Sequence, residues 1–112
     1  MIVYKIFEKH EKGYKNLFHE RRNIYSLGDD VTATVKMVYE AYDQKTHEKI
    51  MYVSGIHVIL TYDLCKKYLR RFKNQNNKII VTCETNINDL RPKPNGRKGV
   101  CLTTKINLIK EA

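Results

Sequence analysis

Tryptophan is missing from these 112 residues, proline occurs twice and glycine five times. So thin a supply of chain breakers excludes a collagen-like or Pro/Gly low-complexity polymer. No apolar run approaches the ~20 residues that a membrane-spanning helix requires. Met1-Ile2-Val3-Tyr4 opens straight into a strand-like pattern, which predicts a soluble and unprocessed chain. The cysteines Cys65, Cys83 and Cys101 are odd in number and lack a C-x-x-C pair. That spacing argues against a disulfide framework, a zinc site or a redox centre, and predicts buried thiols in a reducing cytoplasm. His10, His19, His47 and His57 show no metal-ligand spacing, so neither a metal nor a cofactor is predicted. Gly96-x-x-Gly99 lacks the rest of a Walker or dinucleotide fingerprint.

Acid is the other shortage, and it is local. Residues 1–60 carry 9 Lys/Arg against 8 Asp/Glu, whereas residues 61–112 carry 12 against 4. Two clusters hold most of that excess. One is Lys66-Lys67-Tyr68-Leu69-Arg70-Arg71-Phe72-Lys73; the other is the turn-rich Arg91-Pro92-Lys93-Pro94-Asn95-Gly96-Arg97-Lys98. Such asymmetry points to a phosphate-bearing partner.

What is present suffices for one core. With 42% hydrophobic and 10% aromatic residues in 112, a single domain spanning 1–112 is expected. Ile2, Tyr4 and Ile6 alternate with Val3, Lys5 and Phe7, the period of a strand. His10 to Gly13 then reads as a turn into a returning strand at 14–19. Val31 to Tyr39 is dense in β-branched residues and reads as a third strand. A polar connection at 43–48 leads to a hairpin partner at Ile50-Met51-Tyr52-Val53. Gly55, inside the next strand-like run, marks a bulge, a bend or a close backbone approach.

One helix is plain. Thr61 is a plausible N-cap, Asp63 favours the first turn, and Cys65, Tyr68, Leu69 and Phe72 recur at i, i+3, i+4 and i+7. Burying that stripe turns Lys66, Lys67, Arg70, Arg71 and Lys73 outward. The polar run at 74–77 stops the helix, and strands follow at 78–83 and 100–109. The expectation is an α+β domain with a mostly antiparallel sheet of about six strands and one basic amphipathic helix between strands four and five.

The candidate phosphate or nucleic-acid contacts are therefore Lys66, Lys67, Arg70, Arg71 and Lys73 on the helix, with Arg91, Lys93, Arg97 and Lys98 in the loop. A solvated face usually mixes charge signs, and Asp63 alone offers acid on this helix. Two prolines and two glycines stiffen and shape the loop. Eight tyrosines suggest base stacking, with Tyr14, Tyr25, Tyr42 and Tyr62 beside predicted turns. Arg21 and Arg22 add cations if the sheet edge lies by the helix. No catalytic constellation is legible, because each thiol sits in an apolar run and Asp29-Asp30 reads as a turn.

Through Ser54-Gly55-Ile56-His57-Val58, Cys65 to Phe72, Val81-Thr82-Cys83-Glu84 and Leu90 to Pro94, the chain resembles short uncharacterised proteins of phages and prophages. The resemblance implies an accessory protein, outside the virion, that counters a host defence or signalling system. Leu17-Phe18-His19, Gly55-Ile56-His57-Val58 and Tyr68 also resemble three places of the ADP-ribosyltransferase fold. This second likeness implies that His19 holds a nicotinamide ribose and that His57 stands where a tyrosine is usual, with Glu84 or Glu111 as the acid. Three readings follow: a non-enzymatic binder of nucleic acid or a nucleotide, which is favoured; an inhibitor of a host protein; and a minimal ADP-ribosyltransferase.

Overall fold

The computed structural model describes residues 1–17, 23–33, 37–42, 45–94 and 96–112, without the side chains of 37–42 and 50. It shows an α+β chain built on an antiparallel sheet. Strand β1 (Ile2–His10) turns into β2 (Gly13–Lys15) and pairs with it from Glu8↔Lys15 to His10↔Gly13. Next come β3 (Asp30–Thr32), β4 (Met37–Tyr42), β5 (Lys49–Val53) and β6 (Ile56–Ile59). Helix α1 (Tyr62–Arg70) leads to β7 (Lys78–Glu84), a 3-10 turn at Ile87–Asp89, β8 (Arg91–Pro92), β9 (Val100–Thr103) and β10 (Lys105–Glu111). The main sheet runs β3-β10-β7-β1-β6-β9-β8, with β2 on β1, while β4 and β5 form a separate hairpin.

The expected strand count and helix position are thus corrected: α1 follows the sixth strand, because runs that read as single strands are divided. The run 31–39 splits into β3 and β4, with 34–36 outside the described residues. The strand-like run at 54–59, left out of the expected count, supplies a strand of its own, β6, with Ser54–Gly55 between it and β5. A β-carbon on Gly55 would lie 2.7 Å from the Thr103 carbonyl oxygen and 3.0 Å from Arg91 Nη2, so the glycine marks a close backbone approach. Among the described residues the returning strand expected over 14–19 covers Gly13–Lys15, with 18–19 outside them.

The division of 100–109 shapes the molecule. Strands β9 and β10 are separated by Thr104 alone, yet they stand at opposite ends of the five-strand run β10-β7-β1-β6-β9. In a flat sheet, four interstrand steps would hold them roughly 19 Å apart. The sheet therefore curls until one bent strand serves both ends. At the bend, Thr85 Oγ1 donates to the Lys105 carbonyl at 2.8 Å and lies 2.6 Å from Thr103 Oγ1. Thr85 has one hydroxyl proton, so Thr103 must be the donor of the second bond. Both threonines are buried, and the pair satisfies polar groups that a straight ladder would have engaged.

Inside the curl, Val3, Phe7, Ile56, Val58, Val81, Cys83, Ile106 and Leu108 form the main core. On the outer face, Cys65 of α1 packs with Ile6 and Ile80, flanked by Tyr68, Leu69 and Phe72. The predicted stripe is the side that packs on the sheet, with Cys65 buried and Tyr68, Leu69 and Phe72 partly buried. Thr61 caps the helix as expected, its Oγ1 accepting from the Leu64 amide at 3.3 Å. No helix of the described residues is long and apolar enough to cross a membrane.

Candidate phosphate-binding surface

Strands β8 and β9 pair through Arg91↔Leu102 and Pro92↔Cys101, so the basic segment is the tip of a hairpin. Backbone bonds shape it: the Gly96 amide donates to the Lys93 carbonyl at 3.0 Å, and the Val100 amide to the Arg97 carbonyl at 3.1 Å. Three contacts then fasten it to the helix and to the residue before the helix N-cap. The Leu60 amide donates to the Gly99 carbonyl at 2.9 Å. Gly99, at φ +75°, sits so close to Leu64 that a β-carbon would fall 2.5 Å from Leu64 Cδ1. Tyr68 donates its hydroxyl to the Lys98 carbonyl at 2.5 Å.

Tyr68 is the hub of this arrangement. The guanidinium carbon of Arg71, at the helix C-cap, lies 5.3 Å from the Tyr68 ring centroid, and that of Arg97, from the loop, lies 5.7 Å away. Each contact supplies about 0.5–1 kcal/mol at an exposed site. One cation of the helix end and one of the loop thus meet at the same ring. Elsewhere on the helix, Lys66 Nζ lies 5.2 Å from the Tyr62 ring, and Tyr62 tilts against Tyr4 at 5.8 Å. Lys78 Nζ lies 5.3 Å from the Phe72 ring and donates to the Asn74 carbonyl at 2.5 Å.

Among the described residues, no ion pair engages Lys66, Lys67, Arg70, Arg71, Lys73, Lys93, Arg97 or Lys98; the pairs that form are Lys9–Glu111, His10–Glu8 and Lys105–Asp30. Lys67, Arg70, Arg71, Lys73, Arg97 and Lys98 are exposed, while Lys66 and Lys93 are half-buried. Cations that no carboxylate pairs among the described residues attract anions.

Arg91 does not join them. Its Nη2 donates to the Ser54 carbonyl at 3.2 Å and its Nε is buried without a partner, so it braces the β5–β6 junction beside Gly55. His57 lies on β6, and its backbone carbonyl accepts a 3.2 Å bond from Lys5 Nζ. Tyr62 is 39% exposed at the first turn of α1. His19, Arg21 and Arg22 lie outside the described residues.

Glu111 is engaged, Glu84 is exposed, and Cys65 and Cys83 are buried. Glu111 accepts from Tyr14 at 2.7 Å and pairs with Lys9 at 2.7 Å, and these two partners hold its carboxyl below the usual range. Glu84 lines an open cleft of about 390 Å³ with Asp30, Asp89 and Asn107. There the Asn107 amide and the Lys105 ammonium lower the Asp30 carboxyl. Burial pushes the Cys65 and Cys83 thiols up to about 12 and raises Cys101 as well.

Two features of this surface escape a reading of the sequence. Helical spacing assigns Tyr68 to the core, and nothing in that spacing reveals that its hydroxyl and ring reach the loop. Lys78 reads as the first residue of a strand, and only its cation–ring contact brings it to the helix end. No protein-family model, curated protein or solved structure matches this chain.

Proposed function

We propose that this protein is a non-enzymatic binder of a phosphate-bearing partner, nucleic acid or a nucleotide, gripped by Lys66, Lys67 and Arg70 of the helix, Arg71 at its C-cap, Lys73 just beyond it, where the helix expected to reach that residue has already ended, and the loop cations Lys93, Arg97 and Lys98. The observation that carries the reading is the shared Tyr68 ring, against which Arg71 of the helix end and Arg97 of the loop both rest, with no carboxylate paired to either among the described residues. Arginine presents its donors in a planar fork suited to phosphate oxygens, and pre-positioned forks lose less freedom on binding. The resemblance to phage accessory proteins suggests a setting, interference with a host defence, in which such a surface captures or masks a nucleic acid or nucleotide.

Binding of a labelled oligonucleotide, followed by fluorescence anisotropy over a salt series, tests this. Log affinity should fall linearly with log salt, by roughly 0.7–0.9 for every phosphate neutralised. The double variant Arg71→Ala/Arg97→Ala should bind more weakly with a shallower slope. A salt-insensitive affinity, or an unchanged slope in the variant, counts against the reading. If the protein instead captures an acidic host protein, the complex will survive nuclease treatment and the oligonucleotide will not compete.

A further inference from the structure

We infer that the strand this surface takes is single-stranded nucleic acid, with Tyr62 as the platform on which an unpaired base stacks. The inference rests on the phosphate reading above and narrows its ligand.

Of the four tyrosines that the sequence places beside turns, the structure selects one. Tyr14 is 7% exposed and commits its hydroxyl to Glu111. Tyr25 packs against the main core, and the side chain of Tyr42 lies outside the described residues. Tyr62 is 39% exposed, and Lys66 of the cationic face holds its ammonium over the ring, 5.2 Å from the centroid, the place an incoming base would take as the flexible lysine swings to a phosphate. On its inner side it tilts 52° against Tyr4, a contact that restrains the ring. Exposed, restrained and flanked by a cation, it combines what a sequence-tolerant stacking site needs.

The layout of the charges favours a strand over a mononucleotide. Tyr62, Lys66 and Arg70 follow one i, i+4 row along α1, and Lys67 and Arg71 follow the next. The two ends of the surface face different neighbours: Tyr62 meets Tyr4 of β1, whereas Leu64 and Tyr68 meet Gly99 and Lys98 of the loop. Cations thus extend from one flank of the helix across its outer face to Arg97 on the other. One phosphate group cannot touch both flanks, but a chain of phosphates can. A duplex supplies such a chain with its base faces already stacked on one another, leaving Tyr62 without a role; an unpaired strand offers both phosphates and a free base face.

The test compares three 12-nucleotide probes of equal charge per strand: an oligothymidylate, an abasic strand of the same length, and the thymidylate annealed to its complement. The wild-type protein should bind the thymidylate at least tenfold more tightly than the abasic strand, the scale expected for stacked bases. Tyr62→Leu should abolish that preference, with abasic-strand affinity falling by no more than in Lys66→Ala, and Tyr62→Phe, which keeps the ring, should restore it. Thermal unfolding of each variant confirms that the fold persists. Equal wild-type affinity for thymidylate and abasic strands, or a preference for the duplex, overturns the inference while the phosphate reading stands. Absence of salt-dependent binding to any probe overturns both.

Discussion

Arg97 lies over the ring of Tyr68, 5.7 Å from its centroid, and the same tyrosine donates its hydroxyl to the carbonyl of Lys98. A residue buried along one side by the helix stripe thus fixes both the backbone and a charged side chain of a loop distant in the chain. Separating the two functions is straightforward. Tyr68→Phe removes only the hydrogen bond and should cost about 1 kcal/mol of stability in chemical denaturation, with polyanion affinity nearly retained. Tyr68→Leu removes the ring as well, and its affinity for an oligonucleotide should fall by about as much as in Arg97→Ala. Equal binding by Tyr68→Leu and wild type would show that the ring does not organise the cations.

Much of the helix is legible in the sequence alone. Thr61 and the 65/68/69/72 spacing place α1 and its start, because capping and periodicity are local, while its end comes at Arg70, before the polar run at 74–77 expected to stop it. The turn after His10 is legible for the same reason. The bend at Thr104 is not. Residues 100–109 read as one uninterrupted strand, and what bends them is the distant Thr85 hydroxyl taking the Lys105 carbonyl. Proximity in sequence likewise groups Arg91 with the loop cations, while its true neighbour, Ser54, is set by the approach of β8 and β9 to the β5–β6 junction.

Lys5 is legible as an anomaly in the same way, sharing the Val3 and Phe7 side of β1. Its ammonium has the neutral His57 carbonyl at 3.2 Å and the Phe7 ring centroid at 5.7 Å. Burial lowers its pKa from 10.5 to about 8, only partly offset by Cys83 and Cys65. Below pH 8 the folded protein holds a charge that water would solvate better, so folding bears the full penalty there. Above pH 8 the unfolded chain binds more protons than the folded one, and stability rises with pH. The thiols act oppositely: with folded values of about 12 for Cys65 and Cys83, stability declines above their ordinary value near 9. Urea denaturation should therefore show stability increasing between about pH 8 and 9 and turning over beyond. Lys5→Met should be more stable at pH 7, by on the order of 2–3 kcal/mol, and should lack the rise. A variant less stable than wild type at pH 7 would mean that the His57 bond outweighs desolvation.

The thiols themselves give a chemical check on the fold. Cys65 and Cys83 are fully buried with raised pKa values, whereas Cys101 is partly exposed. An aromatic disulfide reagent at pH 8 should titrate Cys101 first, with the other two reacting only on the timescale of unfolding. Three thiols reacting together in native buffer would contradict the packing of α1 on the sheet.

Whether the loop acts as a fixed clamp or as a mobile connection is decided at Gly99, which carries no charge. Its φ of +75° disfavours any residue with a β-carbon, and that carbon would fall 2.5 Å from Leu64 Cδ1. Gly99→Ala therefore strains the backbone and pushes the loop from the helix, at a cost of about 1–3 kcal/mol. All the cations remain. If their effect depends only on total charge, oligonucleotide affinity and salt slope in Gly99→Ala will match wild type. Because Arg97 reaches Tyr68 from a loop held down at Gly99 and Lys98, the expected result is weaker binding with a shallower slope, as fewer phosphates are neutralised at once. Raising the loop's charge by Asn95→Lys in the same background should then recover slope without recovering the Arg97 contribution, since added charge does not restore a displaced guanidinium.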